Sequence, residues 1–198
     1  MRLGIVSDIH CNIDGLQLAL ERMGEVDKLL CAGDVMYEYR FNNEVIETLR
    51  DRGALCVLGN HDIGILSAQG VRARSMPHVL AHNVEYLASR PLSLELDIDG
   101  KKLLMTHASP LTPYMQYVYA HSPELEQFAH VDADYIVIGH THVQMAQRIG
   151  RPLVINPGSV GEARDHGNGR RLSYAVLDTS NDEVEFDDFL VGDSAVKA

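Results

Sequence analysis

"DKLLCAGDVMYEYRFNNEVIETLRDRGALCVLGNHD", residues 27–62, is the stretch from which the fold is read. "DKLLCAGD" is a short apolar run closing on Gly33-Asp34 and predicts a strand. "NEVIETLRDRG" carries an exposed charged face and closes on Gly53, the signature of a helix. "ALCVLGNHD" is a further strand ending in polar residues. Upstream, "RLGIVSD" is strand-like, and "GLQLALERMG" has apolar residues at helical spacing with a glycine at its end. The repeated strand–helix unit implies a parallel sheet with helices on its faces.

The pattern changes downstream. "LSLELDID", "GKKLLMTHA", "DYIVIGHTH", "PLVINPGS", "LSYAVLDT" and "EVEFDDFLV" are mostly strands, some separated by tight turns such as Asp99-Gly100. "PHVLAHNVEYLASR" and "SPELEQFAHV" predict helices between them. The sum is a four-layer α/β/β/α sandwich of two mixed sheets flanked by helices. It is read as one domain over residues 1–198, the last eight or so a loose tail, because no repeat, low-complexity tract or linker divides the chain.

The hydrophobic share is 45% and the charged share 23%, as in ordinary globular proteins. No apolar stretch approaches the roughly 18 residues that span a membrane. "MRLGIVSDIH" has no secretory-type apolar region, so the expected location is the cytoplasm. A net charge of −11 argues against a general nucleic-acid binder, although bound divalent cations reverse the potential locally and admit anionic substrates. An oligomer is compatible with the sequence. Cys31 and Cys56 sit in apolar runs and read as core residues, whereas Cys11 lies beside a candidate ligand.

The polar residues fall at strand ends. Asp8 and His10 follow the first strand, Asp34 the second, and Asn60, His61 and Asp62 the third; His107 ends a later strand, and His140 with His142 another. Ligands of open α/β sheets bind beyond the carboxyl ends of strands. Each residue alone has an ordinary reading as a turn or surface group. Together, carboxylate, amide oxygen and imidazole form a donor set suited to Mn, Fe, Zn or Ni, numerous enough for two ions. The i, i+2 spacing of Asp8 with His10 and of His140 with His142 would point each pair one way at the end of a pleated strand.

Asp8-Ile9-His10, Gly33-Asp34, Gly59-Asn60-His61-Asp62, His107 and Gly139-His140-Thr141-His142 resemble, in order, the five motifs of calcineurin-like metallophosphoesterases, over about residues 1–180. The resemblance implies two divalent metal ions. Asp8, His10, Asp34 and His142 would hold one; Asp34, Asn60, His107 and His140 the other, with Asp34 bridging. It also implies hydrolysis of small phosphodiesters or phosphomonoesters by attack of a bridging hydroxide. Asn60 and His61 would face the substrate phosphate, and His61 would stabilise charge or protonate the leaving oxygen. "NPGSVG", residues 156–161, and "HASPLTPYMQYV" are similar to the small bacterial and archaeal phosphoesterases; Arg164 is a further candidate near the phosphate. "NPGS" reads equally well as a turn closing a strand.

Two departures stand out. Tyr37 occupies the place of the aspartate that orients the motif-three histidine in protein phosphatases, which leaves His61 without an assigned partner. "MYEYRFN" also lacks the glycines and proline that many small phosphoesterases carry there. The alternative to an enzyme is a non-catalytic binding scaffold on the same fold, like the retromer subunit. A single structural metal site would use fewer ligands than these seven. The remaining histidines, His78, His82, His121, His130 and His166, read as surface or packing residues, with His78 and His82 paired at i, i+4 on a helix and His121 able to approach the pocket.

Overall fold

Leu3 and Ile5 point to one face of the first strand and Val6 to another, and this alternation builds two cores at once. The computed structural model describes residues 1–111 and 116–192. In chain order the elements are β1 (Arg2–Val6), α1 (Ile13–Met23), β2 (Lys28–Cys31), α2 (Asn43–Asp51), β3 (Leu55–Cys56), α3 (Asn60–Leu66), α4 (Val71–Arg74), α5 (Ala81–Ala88), β4 (Ser93–Ile98) and β5 (Lys101–Thr106). They continue as β6 (Tyr135–Val137), β7 (Gln144–Arg148), β8 (Leu153–Pro157), β9 (Leu172–Asp178) and β10 (Glu183–Phe189).

One sheet has the order β10-β9-β1-β2-β3 and the other β4-β5-β6-β8-β7. β1, β2 and β3 run parallel, as do β5, β6 and β8, while β4, β7, β9 and β10 pair antiparallel. The α/β/β/α sandwich read from the sequence is therefore the fold. Leu3, Ile5, Leu30, Met105, Tyr135, Val137, Ile155 and Leu177 fill the layer between the sheets. Leu16, Leu20, Ile46 and Leu49 pack α1 and α2 on the outer face of the first sheet. Each large aliphatic side chain buried there contributes about 1.5–3 kcal/mol. Burial on this scale offsets the strained turns at the strand ends. Cys31 and Cys56 lie in this core, as expected.

The structure differs from the sequence reading in several places. β3 pairs over only two residues, because at Gly59 the chain turns into α3, whose first turn is closed by Gly59 N donating to Asp62 Oδ2 at 3.0 Å. The segment Pro123–His130 is a 3₁₀ rather than an α-helix; its buried residues Leu125 and Phe128 are three apart, the period of that helix. β7 had no alternating apolar signal, since only Met145 of its five residues is buried. α5 starts at Ala81, so His78 precedes the helix and does not form an i, i+4 pair with His82. The tail beyond residue 192, and residues 112–115 within "HASPLTPYMQYV", lie outside the described residues. No helix among the described residues is long and apolar enough to cross a membrane.

Candidate metal centre

β1, β2, β5 and β6 end at one edge, and the chain turns sharply after three of them. Asp8, His10, Asp34, His140 and His142 have φ of 53°, 48°, 52°, 70° and 60°, the left-handed region that non-glycine residues seldom occupy. The convergence of Asp8 with His10, and of His140 with His142, thus comes from consecutive left-handed turns and not from the pleat of a strand. β1 stops at Val6 and β6 at Val137, before either pair.

The turns are held from below. Asp8 N donates to Gly33 O at 3.0 Å and His10 N to Asp34 O at 3.0 Å, tying the first loop to the second. His140 N donates to Asp8 Oδ2 at 3.0 Å and His61 N to Asp34 Oδ1 at 2.8 Å, so each aspartate uses one oxygen on backbone. Buried Asp62 accepts from Gly59 N, Val35 N and Met36 N and locks the second loop to α3. Burial, with Asp34 nearby, pushes its carboxyl up to about 7. Asn156 Nδ2 donates to Gly139 O at 2.7 Å and Thr141 Oγ1 at 3.0 Å, and Ser159 Oγ donates to Asp8 O at 2.8 Å. "NPGS" therefore carries the ligand loops.

All seven predicted ligands come together. Asp8, His10 and His142 offer donor atoms within 4.8 Å of one another; so do Asp34, His107 and His140, and a third group joins His10, Asp34 and His61. Asn60 Oδ1 lies 3.1 Å from His107 Nε2, beside the second group. Asp34 Oδ2 stands between the groups, 3.2 Å from His107 Nε2 and 4.0 Å from His10 Nε2.

The donor chemistry fits divalent cations. His107 Nδ1–H donates to Ala32 O at 2.7 Å, and His142 Nδ1 faces Glu162 O at 3.4 Å; each partner is a carbonyl that only accepts. With Nδ1 so engaged, Nε2 of each ring is the atom turned toward the carboxylates, His107 Nε2 to Asp34 Oδ2 and His142 Nε2 to Asp8 Oδ1, each at 3.2 Å. His142 Nε2 also lies 3.2 Å from His10 Nε2, and buried His10 Nδ1 and His140 Nε2 have no hydrogen-bond partner. Imidazole nitrogens and carboxylates crowded together in a buried site, two of the nitrogens unpartnered, are a donor set that a cation would satisfy. Burial pushes His10 down to about 4 against the pull of Asp34 and Asp8, and likewise His140, with His107 adding to the effect. Both are neutral donors at pH 7. Burial raises the Asp8 and Asp34 carboxyls, but hydrogen bonding and charge from His142, His107 and His10 outweigh it and hold both below the ordinary range.

His61 has a partner that the sequence reading left unassigned. Its Nδ1 meets the carboxylate of Glu38, one residue beyond Tyr37. Burial raises Glu38, but the hydrogen bond from His61 brings its carboxyl below the usual value. The signal available in the sequence was an acidic residue four positions after Asp34. Tyr37 stacks on His10, ring centroids 4.3 Å apart, and meets the His61 ring edge-on at 5.1 Å, while Arg40 Nη2 donates to His10 O at 2.7 Å. Cys11 is a packing residue: its thiol donates to Arg40 O at 3.1 Å, and burial pushes it up to about 11. Arg164 is ion-paired with Glu162, whose carboxylate stands 3.7 Å from His142 Nδ1, so it joins the cluster only through that residue. His78, His82, His121, His130 and His166 are all exposed.

Comparison with known proteins agrees with this geometry. An uncharacterized protein of Methanocaldococcus jannaschii is 28% identical, the alignment covering 92% of this chain and 85% of that protein. The crystal structure of a metallophosphoesterase from Sphaerobacter thermophilus superposes with a TM-score of 0.79 at 27% identity, covering 96% of this chain and 89% of that one. A novel archaeal phosphodiesterase shares the fold at a TM-score of 0.63 and 22% identity, covering 96% of this chain and 100% of the other. The calcineurin-like phosphoesterase superfamily domain matches residues 1–182, and the chain belongs to that superfamily.

Proposed function

We propose that the protein is a dinuclear-metal phosphoesterase that hydrolyses small phosphodiesters or phosphomonoesters. The observation that carries this is the carboxylate of Asp34, whose Oδ2 lies 3.2 Å from His107 Nε2 of one buried group and 4.0 Å from His10 Nε2 of the other. Asp8, His10, Asp34 and His142 would hold one divalent ion, and Asp34, Asn60, His107 and His140 the other. Mn, Fe, Ni and Zn all suit these donors. Such ions supply Lewis acidity, acidifying water near neutral pH and neutralising charge on phosphoryl oxygens.

The chain's own residues then position and protonate. Glu38 accepts from His61 Nδ1 and fixes the ring, leaving Nε2, 4.0 Å from Asp34 Oδ2, turned to the reacting phosphate. From there His61 Nε2–H donates to a phosphoryl oxygen or to the departing alkoxide. Glu38 performs at one remove the orienting task that Tyr37 cannot. Arg164 is assigned to the rim, where it neutralises Glu162 as an anionic substrate approaches.

Metal analysis of Mn- or Ni-reconstituted protein should find about two ions per chain, and aryl phosphate esters should be cleaved. Asp34→Asn should lower the metal content and abolish hydrolysis while leaving the circular-dichroism spectrum intact. Glu38→Gln should keep both ions and lose roughly 10- to 100-fold in kcat. If the metal-loaded wild type cleaves neither mono- nor diesters, the binding-scaffold reading replaces this one.

A further inference from the structure

Beside the ligand cluster runs a row of aromatic rings that the hydrolytic machinery does not use. The Tyr117 ring lies over that of His140, centroids 3.9 Å apart and planes 21° apart. Tyr119 follows at 6.4 Å and 10° from Tyr117, and His121 at 5.7 Å and 16° from Tyr119. The intervening Val118 is buried with Leu125 and Phe128, so the chain alternates here and turns both tyrosines to the same outer side. Tyr117 is 53% exposed although one of its faces is covered by His140.

Four nearly parallel rings therefore lead outward from a metal-ligand position to solvent. Tyr117 and His121 are exposed and Tyr119 is half-buried between them, a costly surface whose orientation suits flat partners that stack on it. Among the described residues no lysine or arginine is paired with these rings. The phosphate must then be anchored at the ligand cluster, and only a planar, uncharged substituent would be read along the row. A net charge of −11 leaves no basic track for a long nucleic-acid strand.

We propose that Tyr117 and Tyr119 form a stacking subsite that selects phosphate esters bearing a planar aromatic group, a nucleoside or an aryl alcohol, over esters of aliphatic alcohols. This rests on the phosphoesterase reading of the adjoining cluster and names its substrate class. Stacking of one base on an aromatic side chain is worth about 1–3 kcal/mol, roughly a 5- to 150-fold preference.

The test is calorimetric binding of phosphonates, whose P–C bond is not hydrolysed, to the Mn-loaded protein. Phenylphosphonate should bind about 10-fold more tightly than methylphosphonate. Tyr119→Leu, which touches no ligand, should bring the two affinities together, and Tyr119→Phe should restore the gap. Tyr117→Leu should act in the same direction, with metal content measured alongside because Tyr117 covers His140. An adenosine phosphonate that binds more tightly than phenylphosphonate assigns the subsite to nucleosides; the reverse order assigns it to other aryl groups. Equal affinities in the wild type, or variants that weaken both phosphonates in step, overturn the subsite while leaving the phosphoesterase reading in place. Failure of the wild type to bind either phosphonate overturns both together.

Discussion

Asp182, in the turn between β9 and β10, and Asp8, after β1, occupy the same left-handed backbone region, at φ of 60° and 53°. They stand at opposite ends of the sheets. The Asp182 carboxylate receives Lys101 Nζ at 2.6 Å, Arg148 Nη2 at 2.9 Å and the Tyr135 hydroxyl, so the chain supplies the counter-cations itself. Asp8 and Asp34 are buried, and among the described residues no lysine or arginine pairs with either. Their neighbours are histidines, two of which burial keeps neutral at pH 7. One backbone conformation thus serves two ends. At the far end it closes a turn whose charge lysine and arginine balance. At the near end it gathers two buried carboxylates faced by histidines, of which His107, held up to about 10 by Asp34 and Asp8 against burial, balances one charge and leaves the other for a ligand.

The largest expected effect follows from that missing charge. At an ion concentration 100-fold above Kd, one bound ion stabilises the folded state by about 2.7 kcal/mol, roughly 5–10 °C in Tm for a chain of this size. Wild type and Asp182→Asn should both show this rise on adding Mn in a thermal scan, and Asp8→Asn should lose most of it. A full metal-induced rise in Asp8→Asn would break the contrast between the two aspartates.

A second comparison concerns the glycines that let these turns pack. A Cβ at Gly161 would stand 2.1 Å from Ile9 O and 2.5 Å from Asp8 O, main-chain atoms that cannot swing aside. At Gly100, in the Asp99-Gly100 hairpin, a Cβ meets nothing within 4 Å, and only φ of +78° opposes it. Gly161→Ala should therefore cost about 2–3 kcal/mol by denaturant titration and depress hydrolysis, because the clash moves the loop that carries Asp8. Gly100→Ala should cost about 1 kcal/mol and leave hydrolysis alone. Equal costs would mean that the site end is no more tightly packed than the hairpins.

These contrasts explain what was legible in the sequence. The sandwich was readable because Leu3, Ile5, Tyr135 and Val137 alternate at the strand period, and α1 and α2 repeat at the helical one. The seven candidate ligands were readable as a set because each follows a strand as Asp, Asn or His. Their left-handed geometry was not, since nothing in "DIH" or "GHTH" separates a turn from an extended end. Glu38 escaped because it lies one residue beyond the expected position, and only the path of the loop brings it to His61. The row from Tyr117 to His121 was invisible for a related reason. Its alternation with Val118 is short, and its meaning depends on His140, some twenty residues further along.

The smallest effect belongs to the balanced end and carries a defined pH dependence. Hydrogen bonds from Lys101 first, and then from Tyr135, hold the Asp182 carboxyl below its ordinary 3.8. A carboxylate depressed in the folded state contributes stability that is present above the unfolded value and is lost as pH falls through the folded one. Asp182→Asn keeps a residue that tolerates the left-handed turn but removes the charge shared by Lys101 and Arg148. It should cost about 1 kcal/mol at pH 7, because a partly exposed network is screened by solvent, and the deficit should shrink in acid below pH 3.8. Denaturant titrations at the two pH values measure it. A deficit that stays constant into strong acid would show that the turn depends on the shape of Asp182 and not on its charge. The carboxylates at the two ends would then differ in more than their supply of cations.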